Sequence, residues 1–260
     1  MKITSFLTAG ALASAMASPV VMADNNTFTP EQKKQIEQVI HDYLVGKPEV
    51  LMEASQALQA KQQETMQKEA KSAIGKYAPE LLSAKLAVAG NSKGNVTVVE
   101  FFDNQCIHCK KMDPIIVEMI KKNPDVRVVY KEFPIFGKNS EFASKAALAA
   151  AMQGKYIPFH EALLRLDKPL DNDVVLETAK TAGLDMTKLK TDMDSKVVSD
   201  ELDATHKLAD HMHLMGTPAF VILTTPGGVF KVGSEPSFIP GGTSAESLQG
   251  MIDKAAAAGK

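Results

Sequence analysis

The sequence predicts an α/β domain that follows a helical segment, and three patterns along the chain indicate this class. A β-branched, apolar run at 96–102 is typical of a buried strand, helical spacing follows over 106–122, and Val126 to Phe133 is predicted as a second strand. Strand, helix and strand in this order form a βαβ unit with a parallel pair of strands. Helices are then predicted from Ser140 to Met215, before strand propensity returns at 219–223.

Residues 1–23 have the composition of a secretory signal peptide. Lys2 gives a positive start, an apolar or small run follows from Ile3 to Val21, and Val21-Met22-Ala23 resembles a cleavage site. A membrane anchor is the alternative, but Ser, Thr, Gly and Pro residues dilute the run, and its apolar core is short for a spanning helix. We therefore expect cleavage after Ala23 and export to a compartment in which disulfides persist.

Two helices are predicted in residues 24–84, ahead of the α/β domain at 85–260. The first begins at Thr29-Pro30-Glu31-Gln32, where Thr29 is the N-cap and Gln32 closes a capping box. The second begins near Pro48 and ends near Ile74. The first helix carries one apolar stripe, which consists of Ile36, Val39, Ile40, Tyr43 and Leu44.

The apolar stripe of the first helix needs a partner, since two helices of this size cannot bury it alone. It can pack on the neighbouring domain or on the same helices of a second subunit. Helical pairing of such stripes is a common oligomer interface, so self-association is favoured, with a dimer preferred to a trimer. We therefore expect residues 24 to about 75 to form a homo-oligomer.

The only two cysteines, Cys106 and Cys109, lie at the turn between the first predicted strand and the helix that follows it. A thiol at a helix N-terminus meets unpaired backbone N–H groups and the positive end of the helix dipole, and both favour the thiolate. The thiolate is the nucleophile in disulfide exchange, and a second thiol one helical turn further can attack the resulting mixed disulfide. The spacing therefore predicts a redox centre of two thiols.

Three other interpretations of the cysteine pair were weighed. A zinc site lacks a second Cys-x-x-Cys or a following His-x-x-x-His, and covalent haem attachment lacks a histidine in place of Lys110. A structural disulfide that closes so short a loop constrains the unfolded chain little. Redox activity is favoured over all three, and this chemistry requires neither a metal nor an organic cofactor.

The composition argues against nucleic acid as a partner. The chain has 29 basic and 31 acidic residues, a formal net charge of −2, so it lacks the basic excess that attracts phosphates. It also has no Trp and only 4 Tyr, which leaves few side chains for base stacking.

The end of the chain is predicted as a β-hairpin and a helix. A strand at 219–223, turn residues at 225–228 and a partner strand from Val229 to Val232 form the predicted hairpin. The closing helix is predicted from about Ser244 to Ala258. Ahead of the first strand, residues 87–95 are predicted as a connection and turn.

These elements together resemble the thioredoxin fold of the DsbA family over residues 85–260, with a helical insertion at about 139–215. The segment Phe101 to Cys109 resembles that family's active-site segment, and Gly216-Thr217-Pro218 resembles its cis-proline loop. Residues 36–58 are similar to the N-terminal oligomerisation segment of the ScsC proteins, the suppressors of copper sensitivity. Over nearly its whole length the chain is similar to the DsbA-like outer-membrane antigens of intracellular gammaproteobacteria.

The resemblance implies roles for the two thiols and for two residues near them. Cys106 would be the exposed nucleophile, Cys109 the buried resolving thiol, and His108 a donor that stabilises the Cys106 thiolate. An acid within an apolar strand, such as Glu100, is costly unless it is paired or protonated. The resemblance implies that Glu100 tunes the thiols and moves their protons. In the competing interpretations, His108 is a plain surface residue, and Glu100 faces solvent or pairs with a lysine such as Lys131.

The resemblance also implies a substrate-binding loop. Pro218 would be cis, and the backbone of Thr217 would pair with an extended substrate chain like a strand. Thr217 before the proline resembles disulfide isomerases, since dedicated oxidases of the family often carry Val there. The dipeptide Ile107-His108 departs from the Pro-His of the strongest oxidases, so the reduction potential cannot be copied from the family.

The function implied by the resemblance is that of a periplasmic thiol:disulfide oxidoreductase, a dimeric isomerase with oxidase capability. Its partners would be exported proteins with cysteines and an inner-membrane redox protein of the DsbB or DsbD type. Association with the outer membrane or cell envelope is left open. A monofunctional disulfide oxidase is one alternative.

A copper-binding or copper-sequestering envelope protein is another alternative, because the segment His211-Met212-His213-Leu214-Met215 contains residue types that bind copper. The competing interpretation of this segment is a helix end whose Met and Leu side chains pack in the core. This second interpretation is favoured, since one His/Met cluster is a weak signal. We therefore predict no metal site.

Overall fold

The computed structural model describes residues 28–83 and 86–259, except for the side chains of Gln63, Met66, Gln67 and Ala70. The predicted signal peptide at 1–23 lies outside the described residues. The chain divides into two compact units, with the first ending at Leu58 and the second beginning at Gln59. The domain boundary predicted at residue 84 stays a prediction, since residues 84 and 85 are outside the described part.

The elements of the described chain are a mixed sheet and a set of helices. The helices are α1 (Pro30–Gly46), α2 (Glu49–Lys76), α3 (Ala78–Leu82), α4 (Ile107–Lys122), α5 (Lys138–Met152), α6 (Tyr156–Leu164), α7 (Asn172–Thr181), α8 (Met186–Met193), α9 (Lys196–His211) and α10 (Ala245–Gly259). The strands are β1 (Val88–Gly90), β2 (Val96–Phe102), β3 (Val126–Glu132), β4 (Ala219–Thr224) and β5 (Ser237–Ile239). Their order across the sheet is β1-β3-β2-β4-β5.

Strand β2 is the centre of the sheet, and all of its residues are buried. It pairs in parallel with β3, as the βαβ pattern predicted, and antiparallel with β4. Because side chains alternate along a strand, Val98, Glu100 and Phe102 face one side, while Val99 and Phe101 face the other. Val98 and Phe102 belong to the core cluster that contains both cysteines, so this face of β2 leads directly to the redox segment.

The helical insertion between β3 and β4 is confirmed as helices α5 to α9. The predicted continuation of the last of these to Met215 is wrong, because α9 ends at His211 and Met212 caps it. His213 has a positive φ of 53°, which a right-handed helix does not allow. The residues from His213 onward therefore form a loop that leads to β4.

The predicted partner strand at 229–232 is also wrong. The partner of β4 is β5, with Phe220 opposite Ile239 and Ile222 opposite Ser237. The Lys231 N–H donates to the Thr224 carbonyl at the end of β4, but the chain then turns at Gly233, whose φ is 84°. The valines of the expected strand consequently lie in water, with Val232 88% exposed.

Strand β1 was missed, since 87–95 was predicted as a connection and turn. It pairs antiparallel with β3, with Val88 opposite Val129. Gly90 ends the strand at a φ of 73°, and a Cβ at this position would collide with the carbonyl oxygen of Val126. A strand of three residues is too short to give a periodic signal, so only its pairing with β3 defines it.

The first compact unit contains the predicted capping box. The Thr29 side chain accepts from the Gln32 N–H at 3.2 Å, and the Gln32 side chain accepts from the Thr29 N–H at 2.9 Å. The apolar stripe of α1 is largely exposed in the single chain, with Val39 67% and Ile40 52% accessible. In the described parts of the chain, no helix combines the length and apolar character needed to cross a membrane.

Candidate active site

The two cysteines occupy the start of α4, directly after the end of β2. Cys106 is the N-cap of this helix, and Cys109 lies in its first turn. The Cys106 N–H donates to the Asp103 carbonyl at 3.0 Å, and the Lys110 N–H donates to the Cys106 carbonyl at 3.0 Å, so the turn is fixed on both sides. Cys109 is fully buried, as the resemblance implied. Cys106 is only 3% exposed, which corrects the expectation of an openly exposed nucleophile.

The loop that precedes β4 meets the Cys106 thiol. The Sγ atom of Cys106 lies 3.2 Å from the backbone carbonyl oxygen of Thr217, and the Thr217–Pro218 peptide bond is cis. Strand β4 pairs with β2 in the sheet, and this pairing brings Thr217 into contact with Cys106, although the two residues are 111 positions apart in the sequence. Thr217 covers Cys106, which explains the small exposure of this thiol.

The surroundings of Cys106 stabilise its thiolate. Hydrogen bonding from the Cys109 thiol, and then from the backbone N–H groups of Cys109 and His108, lowers the pKa of Cys106 to about 5 against the opposing effect of burial. These backbone groups are among the unpaired N–H groups that every helix N-terminus presents. His108 thus acts through its backbone, while its side chain is exposed. The role expected for the imidazole stays a prediction.

Cys109 has the opposite electrostatic environment. Burial, the hydrogen bond that it gives to Cys106 and the nearby Glu100 carboxyl all raise the pKa of Cys109 above that of an ordinary thiol. The two thiols are therefore split, because Cys106 is readily ionised and Cys109 keeps its proton. This asymmetry suits a pair of thiols in which one sulfur attacks the substrate and the other resolves the adduct.

Glu100 is buried on the same face of the sheet as the cysteines, opposite Tyr130 of β3. Burial raises its pKa well above the usual range, and the negative charges of Asp113, Cys106 and Glu132 add to this effect. The alternative in which Glu100 pairs with Lys131 is wrong, since Lys131 lies beside Phe101 in the register and so faces the other side of the sheet. The Lys131 ammonium instead donates to the Ser83 carbonyl.

Asp103 holds the turn between β2 and α4, a role that was not predicted from the sequence. Its carboxylate accepts hydrogen bonds from the backbone N–H groups of Gln105 at 2.7 Å, Ile135 at 2.7 Å and Phe136 at 3.0 Å. It also accepts from the Ser140 hydroxyl at 2.7 Å. Asp103 therefore fastens the redox turn to the start of α5.

Glu132 is a second buried acid near the thiols, and its role was not predicted from the sequence. Its carboxylate accepts hydrogen bonds from Asn104 at 2.9 Å, Ser144 at 2.7 Å and Tyr156 at 2.9 Å. Burial raises its pKa to about 8, although these three hydrogen bonds oppose the shift. The polar pair Asp103-Asn104 directly before the cysteines was the one signal for this network, because polar residues at the end of a buried strand need partners.

The His/Met segment does not converge on one point. Met212 is buried in the core, His211 stacks on Tyr77 with ring centroids 4.7 Å apart, and Met215 is 89% exposed. No group of three His, Cys, Asp or Glu side chains that could hold a metal occurs in the described ranges. The packing of Met212 agrees with the interpretation of this segment as a helix end against the core.

The central strand leads to two thiols at a helix N-terminus, and the cis-proline loop before the neighbouring strand contacts the first of them. These features define the class of thioredoxin-fold dithiol proteins. Residues 97–253 match the family of DSBA-like thioredoxin domains, and the chain belongs to this family. Residues 32–64 match the N-terminal domain of the copper resistance protein ScsC. These two matches confirm the resemblance to the DsbA and ScsC proteins.

Solved structures extend the comparison over most of the chain. BcfH of Salmonella enterica Typhimurium is 32% identical, with a TM-score of 0.71, and the match covers 87% of this chain and 96% of that one. A thioredoxin-like oxidoreductase of Silicibacter pomeroyi is 36% identical, with a TM-score of 0.61, and the match covers 68% of this chain and 95% of that one.

Curated relatives are matched over a smaller share of their length. The thiol:disulfide interchange protein DsbA of Bordetella parapertussis is 28% identical over 141 residues, which are 51% of this chain and 65% of that protein. The Na(+)/H(+) antiporter NhaA 3 of Salinispora tropica is 28% identical over 137 residues, which are 52% of this chain and 21% of the antiporter. This chain therefore spans less than two thirds of the length of both relatives.

Proposed function

We propose that this protein is a periplasmic thiol:disulfide oxidoreductase that acts on the cysteines of exported proteins, as an isomerase with oxidase capability. The observation that carries the proposal is the split between the two thiols. Cys106 has a pKa of about 5, while burial keeps the pKa of Cys109 high one helical turn away. A thiolate at neutral pH next to a protonated resolving thiol is suited to disulfide exchange.

In the reducing direction, the Cys106 thiolate attacks one sulfur of a substrate disulfide, and the other substrate sulfur leaves as a thiolate. Cys109 then passes its proton to Glu100 and attacks the Cys106 sulfur. This attack breaks the mixed disulfide, releases the second substrate thiolate and leaves Cys106 and Cys109 joined as a disulfide. The oxidising direction is the reverse. An inner-membrane partner of the DsbB or DsbD type would return Cys106 and Cys109 to the disulfide after a substrate is oxidised, or to the two thiols after a substrate is reduced.

The substrate is expected to bind along the cis-proline loop. A groove of about 500 Å³ is lined by residues 212–219, by Phe238 and Pro240, and by Gln59, Gln62 and Glu69 of α2. The lining is mostly apolar, which suits unfolded segments of exported proteins better than a charged ligand. The Thr217 carbonyl is 3.2 Å from the Cys106 sulfur, so a chain paired with this loop would bring its disulfide to the nucleophile.

The isomerase part of the proposal depends on self-association through α1. The exposed apolar stripe of this helix needs a cover, and a second copy of the same helix supplies one. Two active sites in one oligomer would hold a misfolded substrate while its thiols exchange. A monofunctional oxidase would not need this arrangement, so the oligomeric state separates the two functions.

Charging the stripe is expected to separate isomerase activity from redox activity. The double substitution Val39→Glu and Ile40→Glu places two carboxylates on side chains that are 67% and 52% exposed in the single chain, so it should leave the fold intact. We expect a monomer that loses the refolding of scrambled ribonuclease but still reduces insulin. Light scattering and the two activity assays check this, with Gln38→Glu on the same helix as the matched control.

The double substitution at Val39 and Ile40 is preferable to deletion of residues 24–75. The deletion would remove Ile74 of α2, which is fully buried in the core cluster that contains Val99 and Phe101. A wild-type monomer, or a charged monomer with undiminished ribonuclease refolding, would contradict the isomerase proposal. A monomeric wild type that reduces insulin would favour the monofunctional oxidase.

A further inference from the structure

Behind the dithiol lies a buried polar pair, Asp113 and His160, that the reaction described above does not use. Asp113 is 4% exposed and His160 is 1% exposed. The His160 Nε2 atom lies 3.9 Å from the Asp113 Oδ1 atom. Within the described residues, this oxygen and both ring nitrogens have no hydrogen-bond partner. Buried polar groups almost always have partners, so three such atoms on adjacent side chains indicate a function.

His160 is held by three aromatic rings. Its ring centroid lies 4.7 Å from that of Phe102, 4.5 Å from that of Tyr130 and 5.4 Å from that of Tyr156. Phe102 and Tyr130 both adjoin Glu100 on the sheet, because Tyr130 is its register partner and Phe102 is the next residue on the same face. The imidazole therefore lies over the region of the sheet that contains Glu100.

Asp113 is the member of the pair that lines a groove at the surface. It follows Cys109 by one turn of α4, and its charge is one of the causes that raise the pKa of Glu100. On its outer side, Asp113 lines a surface groove of about 470 Å³ between α4 and α6, together with Lys110 and Arg165. Asp113 thus adjoins both the buried His160 ring and a groove that opens to solvent.

We propose that Asp113 and His160 pass protons between the buried Glu100–Cys109 pair and solvent in the groove between α4 and α6. This inference rests on the proposed function, since it supplies the proton path for the same site. A neutral imidazole suits the role because one ring nitrogen accepts a proton while the other releases one. Both are relay residues and do not touch the substrate.

The protons balance in both directions of the reaction. When Cys109 attacks a mixed disulfide on Cys106, its proton passes to Glu100, then through His160 to the Asp113 carboxylate and into the groove. When a substrate thiolate opens the Cys106–Cys109 disulfide, the same path runs inward and a proton reaches the sulfur of Cys109. The electrons move only between sulfur atoms, so no further oxidant or reductant takes part in the relay.

The ionisation of the relay sets its pH dependence. Burial and the neighbouring Glu161 raise the pKa of Asp113 to about 6, which Arg165 opposes, while burial lowers the pKa of His160 to about 3. The charged and titratable groups around the pair are Glu100 on β2, Tyr130 on β3, Lys110, Lys111 and Glu118 on α4, Tyr156 and Glu161 on α6, and Arg165 and Asp167 after the end of α6. Asp113 accepts protons only when it is ionised, so resolution should quicken as pH rises through about 6.

The test follows a single turnover, in which the full-length protein with glutathione attached to Cys106 releases it by attack of Cys109. We expect Asp113→Asn and His160→Phe to resolve this adduct at least about 10-fold more slowly. This is below the ~10²–10⁴-fold effect of direct acid–base catalysis because both side chains act through Glu100. Asp113→Asn should also lose the rise near pH 6. Acetate should restore its rate, since a small carboxylate can carry protons in the groove.

The matched control is Glu118→Gln, an exposed acid of the same groove that already pairs with Lys121 at 2.9 Å, and it should keep the wild-type rate. Asp113→Glu should recover most of the rate. A wild-type rate in Asp113→Asn, or a loss that acetate leaves unchanged, would overturn the relay. Failure of the wild-type protein to release glutathione at all would instead refute the proposed function.

Discussion

Replacing Cys106 with alanine is expected to abolish disulfide exchange, whereas replacing Cys109 with alanine should leave substrates attached to Cys106. The reason is the split between the thiols, because only Cys106 is ionised at neutral pH, while Cys109 is needed to break the mixed disulfide. The chain has 2 cysteines, so each variant keeps a single thiol, and the thiol left in Cys106→Ala is the buried Cys109, whose pKa is raised.

Non-reducing gels of extracts from cells that produce each variant give the direct readout. Cys109→Ala should show a series of reducible adducts, and Cys106→Ala should show none and should not reduce insulin. The double variant is the control for adducts that form without either thiol. Equal trapping by the two single variants would mean that the roles of nucleophile and resolving thiol are assigned wrongly.

The reduced protein should lose stability relative to the oxidised protein as the pH falls from 7 to 5. At pH 7 the Cys106 thiol, with a pKa of about 5, is ionised in the folded state but protonated in the unfolded state, so ionisation favours folding. This stabilisation is complete only above the unfolded pKa and disappears as the pH falls through the folded one. At 1.36 kcal/mol per pKa unit, the difference should shrink by about 2 kcal/mol over this range.

Denaturant unfolding of both redox forms at several pH values measures this change. Comparing the two forms of one protein cancels the titration of acids that do not sense the thiolate. Cys106→Ala under the same reducing and oxidising conditions is the control, and its two curves should coincide. Parallel curves for the two forms of the wild-type protein between pH 7 and pH 5 would contradict a stabilised thiolate.

The elements that local patterns determine could be predicted from the sequence. The strand β2, the helix α4 and the position of both cysteines at their junction follow from side-chain period and from the spacing of two residues. The capping box of α1 is equally local, since both of its hydrogen bonds join Thr29 to Gln32. The contact of Thr217 with Cys106 joins residues 111 positions apart, and only the resemblance to a family indicated it.

The polar residues behind the thiols could not be predicted for the same reason. Glu132 receives hydrogen bonds from Asn104, Ser144 and Tyr156, which belong to three different parts of the fold. His160 lies on a helix whose spacing indicates only an apolar face, and its proximity to Asp113 depends on how α6 packs beside α4. Local periodicity carries no information on such packing.

The strand errors have a different physical origin. Residues 229–232 have the composition of a strand, but pairing decides whether a strand forms. The chain turns at Gly233, and β5 pairs with β4 instead. The three residues of β1 show the converse, since a weak local signal becomes a strand through its pairing with β3.

Titration of the thiolate in the reduced protein tests directly whether Cys106 is the ionised thiol. The ultraviolet absorbance of the thiolate is followed as pH rises, with Cys106→Ala and Cys109→Ala to assign the signal. We expect one transition with a midpoint at about 5 that disappears in Cys106→Ala. A midpoint at or above the ~8.5 of a free thiol, or a transition that belongs to Cys109, would contradict it.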